Sequence, residues 1–431
     1  MKIVLPNPLV KIQDRLLLCA DVAKDHLDLF TRYHDGRRNH TLDQRLDNTT
    51  DTIEATLTHY ADLAREAHLD GLTVVCEASG GYEQKLLRTA RRLGHQTALV
   101  SPEHVAQLRK VESNDTGKTD HKDPRVIALV AQLGKTQRHR LLSEPYALLR
   151  RLTSDYDQDE GSRCACKTRI HSLILDLFPD YDASAVFTFD TTGRALMDAY
   201  AFDPYAIGRA GYRRFETKIK RRVKFVRFRT LEKLFAWAEA SASYERPEAV
   251  ILALRSRLQA LSRDLEHLEQ RMAAIKNEIE AVGETLKQAA VLPALDEALS
   301  GLTLFNLARL VGQTGPLADF ATKRALLRYA GLNLRERQSG QYRGQTRLSK
   351  KGRILLRKVL SQAVFPLLRG DRLYGPYYAE KRRQGMCHQK AKVAVMRKFL
   401  GVLWSVARSG ETFDLDRFRL SESQYRHDGI S

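Results

Sequence analysis

In GKTDHKDPRVIALVAQL, Gly117 to Leu133, two aspartates stand three residues apart, Asp120 and Asp123, among cationic side chains and just ahead of an apolar helical pattern. A carboxylate pair at that spacing can be a helix start, a surface ion-pair cluster, or half of a metal site. Two earlier acids weigh on the choice. Asp21 and Glu77 each close a predicted strand, in DRLLLCAD and DGLTVVCE, where an open sheet presents side chains to a ligand crevice. If Asp120 and Asp123 share a helix face, with Cβ atoms about 5–6 Å apart, they can point at the same spot as the first two. Four carboxylates can hold two divalent ions about 3.5–4 Å apart, which activates attack on a phosphodiester and stabilises the leaving oxygen. Magnesium suits such hard oxygen donors and a phosphate substrate. Any one of these acids alone reads as a cap or a surface pair; their placement after consecutive strands is what favours the metal site.

The elements that must position them can be read from periodicity. Asp14 to Tyr33 predicts a strand ending near Asp21, a short turn and a second strand, a hairpin opening a mixed sheet. Leu72, Val74, Val75 and Cys76 form a buried strand ending at Glu77, and HQTALVSP a further one closed by Pro102. IEATLTHYADLAREA and LRTARRLG between them are helical, so residues 1–135 alternate strand and helix as an α/β domain. Residues 136–290 read as helical, and the aromatic residues in YRRFETKIKRRVKFVRFRTLEKLFAWAEA read mainly as core. From Leu254 to Leu286 the apolar residues alternate steps of four and three over more than four heptads. That seam predicts a coiled coil or an antiparallel hairpin within the chain, with self-association to a dimer or tetramer the favoured use. A mainly α region, 291–411, and a tail, 412–431, complete the chain.

The 431 residues carry a formal charge of +19, concentrated in one block: residues 321–410 hold 22 Lys and Arg against 3 Asp and Glu, and the remainder holds 49 of each. A single-sign field of that density calls for a polyanion, and nucleic acid is the expected partner. Five scattered cysteines form no disulfide framework or zinc pattern. No export signal or apolar run long enough for a membrane span is evident, so the expected setting is the reducing cytoplasm.

ADVAKDHLD, CEASGGYEQKL, KTDHKDPRVIA and YAGLNLRERQSGQYRGQTRLSKKG, in that order, resemble the motifs of the IS-one-ten family of insertion-sequence transposases, whose relatives include Piv-type DNA invertases. FPDY followed by AYAFDPYAIGRAGYRRF is similar to the middle of the family's longer members. The resemblance implies a RuvC-like (RNase H-like) α/β amino-terminal domain, a helical coiled-coil middle and a mainly α carboxy-terminal transposase domain. It implies that Asp21, Glu77, Asp120 and Asp123 form a magnesium-binding DEDD set, and that Ser339 of the SG motif is the nucleophile that joins DNA. It further implies a structured bridge RNA that guides the protein to target and donor DNA. Arg335, Arg337, Arg343, Arg347, Lys350, Lys351 and Arg353 around the serine are the candidate nucleic-acid contacts. A serine hydroxyl attacks poorly unless activated, so phosphate neutralisation by such cations is a physical requirement. The sequence departs from the family at Pro124, where alanine is usual, and at LPALDEALSGL, which lacks the close glycines of the family's helix-hairpin-helix. A Holliday-junction-type nuclease using water at the same acids, and a nucleic-acid-binding protein whose acids are only caps, are the rival readings.

Overall fold

The computed structural model describes residues 14–78, 80–113, 123–288, 302–335, 338–339, 342–343, 346–411 and 413. The chain divides into two compact units, 1–141 and 142–431.

The first unit is built on strands β1 (Leu16–Val22), β2 (His26–His34), β3 (Asn39–Asp47), β4 (Leu72–Glu77), β5 (Gln96–Val100) and β6 (Thr136–Arg138), with helices α1 (Thr50–Glu66), α2 (Glu83–Arg92), α3 (Pro102–Ser113) and α4 (Asp123–Gln132). The sheet order is β3-β2-β1-β4-β5-β6. β1, β2 and β3 pair antiparallel, β1, β4 and β5 parallel, and β6 returns antiparallel on β5. Strand alternation assigns each face its core. Leu16, Leu18, Ala20, Val74 and Cys76 belong to the cluster completed by Ile53, Leu57, Tyr60 and Ala64 of α1 and Leu86, Leu87 and Ala90 of α2. Leu17, Cys19, Phe30, Val75 and Ala98 belong to the opposite one, completed by Val126, Ile127, Val130 and Ala131 of α4. The apolar positions of α1 recur at helical spacing, and Thr49 caps it by accepting from the Thr52 amide at 3.3 Å.

The hairpin, the Leu72 strand and the following strand stand where periodicity placed them. β3 and β6 were not foreseen. β3 is an almost wholly exposed edge, NHTLDQRLD, with no apolar face to betray it.

The second unit is predominantly helical: α5 (Glu144–Leu177), α6 (Thr191–Tyr200), α7 (Pro204–Ala210), α8 (Tyr212–Lys220), α9 (Phe228–Ala242), α10 (Glu248–Gln288), α11 (Leu304–Thr314), α12 (Lys323–Tyr329), α13 (Ile354–Val364), α14 (Gly375–Arg383) and α15 (His388–Ser409), with short strand pairs between α12 and α13. The heptad seam is one face of α10, and it packs antiparallel on α5 of the same chain. Ile279 and Leu286 share a core with Leu149 and Leu152, whereas Leu258 and Leu265 share one with Ile170 and Ile174. Between the two cores Arg271 pairs with the buried Asp159, and within the second core the Cys166 thiol donates to the Leu261 carbonyl at 3.3 Å. The pair thus runs through two cores, one with α6–α9 and one with α11–α15. Of the two arrangements the heptads allow, the chain adopts the internal hairpin. The LPALDEALSGL stretch lies, except for its last residue, outside the described residues.

Candidate metal-dependent active site

Asp21 is the last but one residue of β1, and Glu77 is the last of β4. The strands are parallel neighbours with Ala20 beside Cys76, so the next residues, Asp21 and Glu77, emerge at the same edge of the sheet. Alternation places both on the face carrying Cys19 and Val75, which α4 covers. α4 begins at Asp123, with Pro124 in its first turn, where the ring's fixed φ and missing N–H are tolerated. Three of the four acids are therefore brought to one end and one face of the sheet. Asp120 lies outside the described residues.

Proximity in the fold does not amount to a formed cage. Among the described residues no three His, Cys, Asp or Glu side chains are grouped to hold a metal ion. Instead, the buried Asp123 carboxylate is paired with Arg109 of α3, Nη2 to Oδ2 at 2.6 Å. Its other oxygen, Oδ1, is buried without a hydrogen-bond partner among the described residues. A desolvated oxygen left so is costly, and a hard cation is one group that would satisfy it. The all-oxygen donor set and this orphaned atom fit magnesium.

Other charged residues at this edge were missed from the sequence. Asp28 stands directly across from Asp21 in the β1–β2 register and is buried. It receives Nε and Nη2 of Arg45 at 2.7 and 2.8 Å. Its place between Leu27 and Leu29 was the available signal, since strand alternation turns it to the face opposite those leucines. An open hollow of about 180 Å³ beside it is lined by Asp28, Asp43, Arg45 and Pro124 among others. Glu83, buried at the start of α2, accepts from the Gly81 amide at 2.9 Å. Burial, then the negative charges of Glu83, Asp21 and Glu77 among its neighbours, push the Cys76 thiol far up. Burial alone raises Cys19 to about 12. Burial thus favours the protonated form of both thiols at neutral pH.

In the second unit Ser339 falls in a two-residue strand, Gln338–Ser339, paired antiparallel with Tyr342–Arg343, with Ser339 opposite Tyr342. The adjacent ribbon pairs Arg335 with Arg347, both exposed. Lys350 and Lys351 are exposed. Arg353 is committed inward, its Nε and Nη2 donating to Oε1 of the fully buried Gln313 at 3.2 and 2.8 Å. Arg337 lies outside the described residues, and Arg343 is described by backbone alone. The loop is anchored by close glycine packing. A Cβ on Gly352, at φ +156°, would come within 2.4 Å of the Gly331 nitrogen, so the glycines of YAGLNL and SKKG are a steric necessity.

Two stretches of the chain match known transposases. Residues 19–179 match the DEDD transposase model of IS110, and residues 297–379 the transposase model of the IS116/IS110/IS902 family. The chain belongs to the IS110 family of transposases. A curated relative, an uncharacterized 43.6 kDa protein of insertion element IS110 from Streptomyces coelicolor, is 23% identical over 380 residues, 86% of this chain and 89% of that protein. Among solved structures, RuvC of T. thermophilus in complex with a Holliday junction substrate is similar at 11% identity and a TM-score of 0.20, over 28% of this chain and 98% of that one. As an IS110-family transposase the chain is a DNA-processing enzyme. No helix among the described residues is long and apolar enough to cross a membrane.

Proposed function

We propose that this transposase cuts and joins DNA by a serine nucleophile supported by a magnesium-binding carboxylate set, guided by a bridge RNA to target and donor DNA. The observation that carries the reading is the delivery of Asp21, Glu77 and Asp123 to one edge and one face of the amino-terminal sheet by β1, β4 and α4. Asp21, Glu77, Asp120 and Asp123 would hold the ion, which when bound neutralises phosphate charge and favours attack on phosphorus. Arg109 is then the residue that must yield Asp123, since it now occupies one carboxylate oxygen. The exposed Arg335, Arg347, Lys350 and Lys351, with Arg337 and Arg343, would hold the phosphodiester near Ser339. Arg353, tied to Gln313, would keep the base of that loop in place. The RNA guide and the specific strand-transfer chemistry rest on the family resemblance. The heptad seam is filled within the chain, so a dimer or tetramer would be built on other surfaces.

Ser339 separates recombinase from water-using nuclease. Its hydroxyl, once joined to phosphorus, conserves the bond energy of the cut strand for rejoining by a second strand's hydroxyl. Ser339→Ala should keep the fold and nucleic-acid binding, because a loop hydroxyl contributes little to stability, yet lose cutting and joining. A protein–DNA adduct on a denaturing gel from wild type, absent from the alanine variant, is the expected result. Efficient cutting by wild type with no adduct would make the protein a Holliday-junction-type nuclease using water.

A further inference from the structure

The helical unit carries a second basic surface outside both family-matched segments, 19–179 and 297–379. Residues 213–229, RRFETKIKRRVKFVRFR, hold nine Lys and Arg against one acid, Glu216. α8 ends at Lys220 and α9 begins at Phe228, so the densest part is the connection between them. Val223 is buried and Val226 packs against the same core, which pins this connection to the α6–α9 subdomain. The aromatic residues beside them do not follow: Phe225 is 80% exposed, and Phe228, edge-on to Tyr212, is 54% exposed. Arg221, Lys224, Arg227 and Arg229 are all exposed, and none has an acidic partner among the described residues.

A solvated cationic face needs no phenyl groups, yet Phe225 is left in water and Phe228 is half exposed with only an edge-on contact to Tyr212. Unpaired bases satisfy both features, since a π-face can stack on phenyl while phosphates meet the cations. A duplex satisfies only the charges, because its bases would have to be unstacked first. We propose that the connection at 221–229 is a contact site for an unpaired DNA strand, with Phe225 and Phe228 stacking on bases and Arg221, Lys224, Arg227 and Arg229 holding its phosphates. The proposal rests on the chain's being a DNA transposase and is independent of the carboxylates and of Ser339.

The test uses the full-length protein and three labelled probes of one unstructured sequence: a DNA strand, its duplex and the RNA strand. The double variant Phe225→Ala, Phe228→Ala should bind the DNA strand about tenfold more weakly while duplex affinity changes less than about twofold. Both side chains are exposed, so the melting temperature should be unchanged, and wild type provides an independent readout. A strand carrying 5-iododeoxyuridine should photocross-link to the peptide spanning 221–229. Equal weakening on strand and duplex would reduce the surface to a charge site and overturn the proposal. So would a larger loss on the RNA strand than on DNA, which would make RNA the occupant. A drop in mass by light scattering, marking a contact between copies, or no cross-link at 221–229, would overturn it as well. Loss of adduct formation at Ser339 with this strand preference intact would fail the serine reading and leave this one standing.

Discussion

At Asp123 the neighbour that matters is Arg109, which holds one carboxylate oxygen while the other is buried without a partner among the described residues. Removing the arginine leaves a buried charge uncompensated, and that residual cost, more than the lost attraction, sets the penalty. Because the Arg109 side chain is 24% exposed, Arg109→Ala should destabilise the protein by about 2 kcal/mol in chelator, below the full value for a deeply buried pair. Added magnesium should then stabilise the variant more than it stabilises wild type, since the ion no longer competes with a guanidinium. Urea melts with and without magnesium check both halves, and equal magnesium gains in the two proteins would remove Asp123 from the site. Periodicity could place Asp123 at a helix start; nothing local in the sequence linked it to an arginine fourteen positions earlier.

At the scale of elements, α10 behaves as an internal strut. Leu265 is buried against residues of α5, and Leu265→Ala should cost about 2–5 kcal/mol through lost transfer energy and the cavity left behind. Chemical denaturation reads that loss directly, and a near-neutral result would place α10 outside the core of the monomer. In the first unit, His139 follows β6 and is buried, its Nδ1 3.4 Å from the Thr97 hydroxyl. Burial, then the positive charge of Arg91, lowers its pKa, and burial lowers that of His95 as well. Both bind a proton more readily unfolded than folded. Their contribution is complete above the ordinary histidine value of about 6.5 and is lost as pH falls below it toward the folded values. The melting temperature should therefore decline below about pH 6.5, and His139→Gln should flatten that decline. An unchanged slope in the variant would assign the decline to other groups. Sequence periodicity found β1, β2, β4 and β5 because each has an apolar face; β3 and the short β6 lack one, and they pair only because neighbours offer an edge.

Across the whole molecule, the charge of residues 321–410 is the largest lever on affinity. Part of it is engaged internally: Lys358 bridges Asp157 and Glu160 at 2.5 and 2.8 Å, and Arg353 is bound to Gln313. The exposed remainder, including Arg324, Arg328 and Lys390, should release counterions on binding duplex DNA. Affinity should fall about a thousandfold between roughly 50 and 200 mM salt, with the slope measured by anisotropy. A flat slope would show that this block faces away from the bound nucleic acid.

What the amino-acid order determined alone was local or compositional. Strand and helix periods, acids at strand ends, the serine loop with its glycines and the basic block all follow from side-chain type and spacing, so they were legible before any fold was known. Tertiary packing decided the rest, because the same pattern is compatible with several partners. The heptads of α10 would accept a second chain as readily as α5, and the aromatic residues of 213–229 would suit a core; burial of Val223 and Val226 turned Phe225 outward. Net charge could not reveal that second basic surface either. Its excess is cancelled in the sum by acids elsewhere in the chain, and only folding decided that Arg221, Lys224, Arg227 and Arg229 stay exposed beside Phe225.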